Sequence, residues 1–287
     1  MTGERRTQAP FGRRLAEVVA NEPAGAYRVF SAADREGPPD PRPGQFYMLA
    51  AAARWGAGEG ERPYVPRAFS FARVGRVEAS APGETRSPPA TAPLLDFLLE
   101  AVGPGTERLG QLRPGEGMWL TGPLGLGFEA PRDGRRPLLV GGGIGAAPLI
   151  CWQDELGGGA RALLGFRSGA HAEAAGLFGG ESVVVTDDGS VGRPALVTEL
   201  LREELDRDDA VVVYSCGPPP MLEGVRAICA ERGVPAQLAL ESGMACGFGA
   251  CMGCVVPTRN GYVRLCVDGP VLDADELESA LVPGAGH

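Results

Sequence analysis

The chain has 287 residues, 44% of them hydrophobic, enough to bury a substantial core and to favour about two domains. A formal net charge of -9 and a pI near 4.9 argue against a nucleic-acid surface, which needs concentrated positive charge, so no nucleic-acid partner is expected. No run of about 18 apolar residues occurs, and the early arginines (Arg5, Arg6, Arg13, Arg14) are followed by Glu17, Asn21, Glu22 and Pro23 rather than an apolar stretch; neither a membrane span nor a secretory leader is expected, and the cytoplasm is the expected location.

Up to about residue 136 the pattern is one of short β-rich pieces, such as 45–50 and 69–74, separated by Gly and Pro, as in a small antiparallel barrel. Residues 79–93 are rich in Pro, Ser, Thr and Ala and read as a surface insertion between strands. The stretch 94–102 has apolar spacing that suits a helix as well as a strand. From Pro137 onward, short apolar runs at 137–140, 161–166, 182–186, 210–216 and 236–240 alternate with helical patterns at 146–156, 195–205 and 221–232. That alternation is the signature of a doubly wound parallel sheet, a nucleotide-binding architecture.

The residues that carry chemistry fall at the ends of these elements. Arg67-Ala68-Phe69-Ser70 offers a guanidinium for phosphate, an aromatic face for a flavin and a hydroxyl for a ring nitrogen. Gly103-Pro104-Gly105-Thr106 offers backbone donors to the same pyrophosphate, or is simply a turn. Val140-Gly141-Gly142-Gly143-Ile144-Gly145 follows an apolar strand and precedes a helix, so backbone N–H groups around Gly143 and Gly145 can hold a second pyrophosphate. Asp187 and Asp188 would repel the 2′-phosphate of NADP whereas Arg167 would attract it, which leaves the choice between NAD and NADP open. Cys216, ending a strand in the run Cys216-Gly217-Pro218, is placed either beside a nicotinamide or as a buried strand-end thiol. Cys151 and Cys229 read as core thiols, and His171 and His287 receive no role.

Cys246, Cys251, Cys254 and Cys266 follow C-x4-C-x2-C-x11-C, whose first three members have the plant-type [2Fe-2S] spacing. Gly247, Gly249, Ala250 and Gly253 lie between them, small residues that let a tight backbone approach the sulfurs. A zinc site and buried free thiols are the competing readings, and zinc ligands more often come as two CxxC-like pairs.

Taken in order, RAFS, VGPGT, GPLGLGF, GGGIGAAP, TDDGS, CGPPPM and the four-cysteine loop resemble the ferredoxin-NADP reductase superfamily. Glu241-Ser242-Gly243-Met244-Ala245-Cys246 and Cys266-Val267-Asp268-Gly269-Pro270-Val271 look like the electron-transfer subunits of class 1B dihydroorotate dehydrogenases. The resemblance implies a β + α/β chain: an antiparallel β-barrel FAD domain over residues 1–135, a doubly wound parallel-sheet NAD domain over 136–240, and a small C-terminal [2Fe-2S] domain over 241–287. It implies a hetero-oligomer with a separate FMN-containing dihydroorotate dehydrogenase catalytic subunit, with electrons passing through the cluster and FAD to NAD in pyrimidine biosynthesis. By the same resemblance Arg67, Ala68, Phe69 and Ser70 lie against the FAD, Gly105 and Thr106 at its pyrophosphate, and the strand carrying Leu98, Leu99 and Glu100 beside the flavin. Related flavoprotein subunits, of an NADH-dependent ferredoxin-NADP oxidoreductase or a sulfide dehydrogenase, share these motifs, and a redox-sensing module that keeps both cofactors without turnover is a third reading. Ala68 stands where relatives usually have proline, Phe69 where they often have tyrosine, and the 79–93 insertion is unlike compact relatives.

Overall fold

The computed structural model describes residues 5–56, 64–78 and 91–282. Six strands, β1 (Arg14–Ala24), β2 (Tyr27–Ala33), β3 (Phe46–Ala51), β4 (Arg67–Glu78), β5 (Thr91–Leu99) and β6 (Gly117–Leu124), close an antiparallel barrel in the order β1-β2-β5-β4-β3-β6, with α1 (Pro104–Gly110) between β5 and β6 in the chain. Period-two alternation divides β5 between two environments. Leu95, Phe97 and Leu99 point into the barrel core, whereas Leu98 packs outward with Tyr27 and Ala72. The ambiguous 94–102 stretch is thus strand as far as Leu99, paired on both sides, with β2 and β4. The last three residues of the 79–93 insertion belong to β5, and 79–90 lie outside the described residues.

The barrel is pinned by a buried ion pair. Arg14 Nε donates to Asp34 Oδ1 at 2.9 Å and its Nη2 to the Gly122 carbonyl at 2.8 Å, joining β1, the end of β2 and β6.

After the barrel come β7 (Arg136–Gly142), α2 (Ala146–Glu155), β8 (Arg161–Phe166), the short α3 (Gly169–Ala172), β9 (Ser182–Thr186), α4 (Val197–Arg207), β10 (Val211–Cys216), α5 (Pro219–Arg232) and β11 (Ala236–Ala239). Strands β7 to β11 pair in parallel, as the alternating pattern requires. Helices cover both faces, which is why β7 beyond Pro137 and β10 are buried on both sides rather than alternating: α4 and α5 pack on one side, α2 on the other. Helix α5 begins with prolines in its first turn and stops at Gly233, whose φ of +64° suits a residue without Cβ.

Beyond β11 the chain forms the cysteine loop, the hairpin β12 (Val255–Thr258) and β13 (Gly261–Arg264), and the single turn α6 (Leu265–Asp268). It then returns as β14 (Val271–Asp273), which pairs antiparallel with β11 and completes the sheet order β14-β11-β10-β7-β8-β9. No helix among the described residues is long and apolar enough to cross a membrane.

Candidate cofactor and electron-transfer site

A cavity of about 770 Å³ opens where the barrel meets the carboxyl ends of the parallel strands, the edge at which open α/β sheets bind ligands. Its size falls within the range of small-molecule and cofactor sites. The barrel contributes Tyr27, Ala68, Phe69, Ser70, Leu98, Glu100 and Thr106; the sheet contributes Gly142, Gly143 and Gly145 after β7, Phe166 and Arg167 after β8, Asp187 after β9, and Cys216 to Pro218 after β10. The segment from Leu240 to Met244 forms a further wall, and the start of α4 and the first turn of α5 add to the lining.

Of the fourteen residues assigned to flavin or nucleotide in the sequence, ten therefore line one cavity, and Arg67, Leu99, Gly103 and Gly105 do not. Leu99 is fully buried in the barrel, on the face opposite Leu98. Gly103 caps α1 instead: its N–H and that of Val102 donate to Thr106 Oγ1 at 3.1 and 2.9 Å. Arg67 packs on Gly105, where an added Cβ would fall 2.5 Å from Arg67 Nε and push the guanidinium aside. Trp55 lies 5.8 Å from the same guanidinium. Phe69 reaches the cavity with one edge, while its ring meets Phe30 and Phe97 edge-to-face at 6.3 and 6.4 Å in the barrel core.

The glycine-rich turn is built for close approach. Gly143 has φ of +56°, in the left-handed region. A Cβ on Gly145 would fall 2.5 Å from the carbonyl carbon and oxygen of Cys216, so the turn and the end of β10 touch through backbone. Cys216 itself is 3% exposed, and burial, reinforced by the charge of Glu241, holds its thiol well above the usual range. It stands in the cavity wall as a neutral thiol rather than a thiolate. Burial likewise raises Glu241, and Ser242 Oγ is buried without a hydrogen-bond partner among the described residues, an acceptor and donor left for a bound molecule. Sequence reasoning gave no individual role to Tyr27, Glu241 or Ser242. The signal for the last two lay in the 241–246 motif itself.

The four cysteines sit just beyond this wall. Cys254 and Cys266 are buried with sulfurs 3.2 Å apart; Cys246 is half-buried and Cys251 exposed, with Cys251 N–H directed at Cys246 Sγ at 3.5 Å. Among the described residues no three His, Cys, Asp or Glu side chains converge on a single ion. The thiols come as two pairs, which is what a two-iron cluster with two thiolates per iron asks for. Gly249 N–H points at Cys266 Sγ at 3.1 Å and Cys266 N–H at Cys254 Sγ at 3.5 Å, donors of the kind that stabilise thiolate ligands. Burial pushes the Cys246 thiol up, but the N–H groups of Cys251, Phe248 and Ala250 outweigh it and bring it down to about 6. Gly247 and Gly249, at φ of +80° and +82°, have no room for a side chain: a Cβ would fall 2.6 Å from Met48 Cγ in the first case and 2.8 Å from Val267 Cγ2 in the second. The donor set and the cramped loop fit a [2Fe-2S] cluster, as the cavity and its glycine turns fit a flavin and a nucleotide.

A closed barrel, a doubly wound sheet and a cysteine loop meeting at one cleft define a ferredoxin-reductase-like electron-transfer architecture. Residues 241–278 match the family model described as the iron-sulfur cluster binding domain of dihydroorotate dehydrogenase B. The dihydroorotate dehydrogenase B (NAD(+)) electron transfer subunit of Caldanaerobacter subterraneus subsp. tengcongensis is 40% identical over 190 residues, covering 64% of this chain and 75% of the relative. A probable counterpart from Methanopyrus kandleri is 33% identical over 269 residues, 92% of this chain and 91% of the relative. Among solved structures, an NADH-dependent reduced ferredoxin-NADP oxidoreductase superposes with a TM-score of 0.74 at 25% identity, over 94% of this chain and 92% of that one. The chain belongs to the family of electron transfer subunits of NAD(+)-dependent dihydroorotate dehydrogenase B.

Proposed function

We propose that this chain carries electrons from a dihydroorotate-oxidising, FMN-containing subunit to NAD, as the electron-transfer half of a hetero-oligomer in pyrimidine biosynthesis, and that it works in the cytoplasm. The observation that carries the reading is the continuity of Glu241 to Cys246: Glu241 to Met244 line the cavity, and Cys246, the first cysteine, follows two residues later. Two residues span at most about 7 Å of chain, so the cysteine loop abuts the cavity wall.

Bound FAD supplies two-electron hydride exchange with the nucleotide, and a [2Fe-2S] cluster supplies one-electron steps toward the partner. The chain's own residues supply position. Arg67, lying on Gly105, serves the flavin pyrophosphate; Ala68, Phe69 and Ser70, with Leu98 on the neighbouring strand and Glu100 just after it, form the flavin side, and Thr106 with the backbone of Gly103 and Gly105 holds the turn. Gly143 and Gly145 offer amides to the nucleotide, Asp187 faces its ribose, and Cys216 walls the nicotinamide end. Cys246, Cys251, Cys254 and Cys266 are the cluster ligands. In this scheme residues 1–135 form the FAD domain, 136–240 the NAD domain and 241–287 the cluster domain. The exposed Phe248 and Met252 on either side of Cys251 give the loop an apolar rim for the partner.

The test is Cys251→Ser in the assembled complex. Stopped-flow reduction of the flavin by NADH is expected to persist, while dihydroorotate oxidation with NAD as acceptor is expected to stop. Full dihydroorotate activity would remove the cluster from the electron path. A second reading, a flavoprotein subunit of the ferredoxin-NADP oxidoreductase kind, is favoured by the superposition on that oxidoreductase; the partner that co-purifies separates the two.

A further inference from the structure

The cavity is poor in positive charge. Among the described residues that line it, Arg167 is the one cationic side chain, set against the carboxyl groups of Glu100, Asp187 and Glu241. A dinucleotide brings two phosphates into this space, where the amides of the glycine turn and that one guanidinium are the groups placed to meet them.

The guanidinium is engaged. Arg167 follows β8 on the nucleotide side of the cleft and pairs through Nη2 with Glu100 Oε1, which follows β5 on the barrel side. The same Nη2 lies 2.9 Å from His171 Nε2, and His171 Nδ1 lies 2.8 Å from Ser168 Oγ. A guanidinium cannot accept a hydrogen bond, so in the Arg167 contact Nε2 is the acceptor and Nδ1–H donates to Ser168; Nε2 also lies 3.5 Å from Glu100 Oε1. Tyr27 closes the group by meeting the His171 ring edge-on at 5.4 Å. Arg167 is nevertheless 66% exposed and Glu100 23%, so the pair sits at the mouth and can part without unpacking the core.

We infer that Arg167 is the phosphate-binding cation of the nucleotide site and that Glu100 is its resting partner, so that a nucleotide phosphate and the Glu100 carboxylate compete for one guanidinium across the cleft. The inference rests on the nucleotide reading of this cavity and adds to it a named exchange: an ion pair between the two halves of the cleft breaks as an ion pair to the ligand forms. His171 and Ser168 hold the guanidinium at the mouth in either arrangement.

Calorimetric titration of the holoprotein with ADP, and with adenosine as the phosphate-free control, tests this directly and needs no turnover. Arg167→Ala is expected to weaken ADP about tenfold, the loss of one charge-assisted contact, and to leave adenosine unchanged. Glu100→Gln is expected to tighten ADP about threefold, the scale of an exposed ion pair, again without effect on adenosine. In the double variant the tightening disappears. ADP affinity that ignores both substitutions overturns the exchange, and so does a Glu100→Gln gain that survives removal of Arg167. Should Glu100→Gln lose its flavin, Glu100→Asp, too short to hold the pair, replaces it with the same expected tightening, and Arg167→Ala decides whether this guanidinium meets the phosphate. Wild-type protein that binds neither ADP nor NADH would instead refute the nucleotide reading beneath the inference.

Discussion

Gly145→Ala isolates one contact on which the nucleotide end of the cleft depends. Gly145 has φ of -62° and ψ of -7°, a helical conformation that alanine adopts freely, so backbone preference alone would make the change stabilising by about 0.4–1 kcal/mol. The new Cβ, however, would lie 2.5 Å from the carbonyl carbon and oxygen of Cys216 and 2.6 Å from Gly217 Cα. Ordinary carbon–carbon contact begins near 3.5 Å, so the turn and the end of β10 must part by about 1 Å, and backbone cannot rotate away as a side chain does. Overpacking of this kind costs about 1–3 kcal/mol, enough to reverse the backbone gain. At about 2 kcal/mol the melting temperature falls by roughly 4–8 °C. The same displacement moves the amides that face the nucleotide, so kcat/KM for NADH with an artificial acceptor should drop at least about tenfold while flavin stays bound. Gly143→Ala is the comparison: its Cβ meets only Tyr27 Oη, at 3.7 Å, but its φ of +56° costs alanine about 1–2 kcal/mol, most of which asparagine at that position should recover. A Gly145→Ala protein with wild-type melting and NADH kinetics would refute the argument.

Purified protein should contain roughly two irons and matching acid-labile sulfide per chain, measured by colorimetric assay, since four thiolates ligate one such cluster; zinc without sulfide would contradict the pairing of the cysteines. Arg67→Ala should lower FAD retention through gel filtration, because it removes the guanidinium resting on Gly105, and unchanged occupancy would place the pyrophosphate elsewhere. Glu223, which pairs with Arg226 and accepts from Ala280 N–H and Ser279 Oγ, is held down at about 2 chiefly by that arginine. Its depressed value means that its support for the 279–282 segment is complete above its ordinary value of 4.5 and is lost as pH falls from there through about 2. The protection factor at the Ala280 amide, its exchange rate relative to an unstructured amide at the same pH, should fall over that interval in the wild type and be low already at neutral pH in Glu223→Ala.

How legible these features were in the sequence depended on whether a local pattern carried them. Strands β7 to β11 stood out because burial on both faces demands unbroken apolar runs, and α4 and α5 because their core-facing residues recur at helical spacing. β14 was invisible for the converse reason: Val271 to Asp273 is too short for any period, and only its pairing with β11 makes it a strand. The glycine turn, the flavin-side motif and the cysteine spacing announced the site, since each is a run of neighbouring residues. Leu98 and Leu99 show the limit of that reasoning: adjacent residues of one type, they separate onto opposite faces, one toward the cleft and one into the barrel. The pairing of Glu100 with Arg167 joins two elements far apart in the chain, and neither residue alone signals the other.

The return of the chain as β14 also bears on how the cysteine loop acquires its metal. Residues 240–270 leave from β11 and re-enter on the strand beside it, so the sheet fixes both ends of the excursion. Closing a flexible loop costs entropy that grows with its length, and here the folding of the nucleotide sheet meets that cost. Small metal-organised modules typically stay unfolded until their ion arrives, because binding must order the whole segment. With the cysteines as the proposed cluster ligands, iron and sulfide would reach a segment already anchored at its base, with Cys254 and Cys266 in the protein interior. Metal-free protein should therefore keep its barrel and sheet, and maturation becomes a local event, confined to one excursion at the edge of a finished fold.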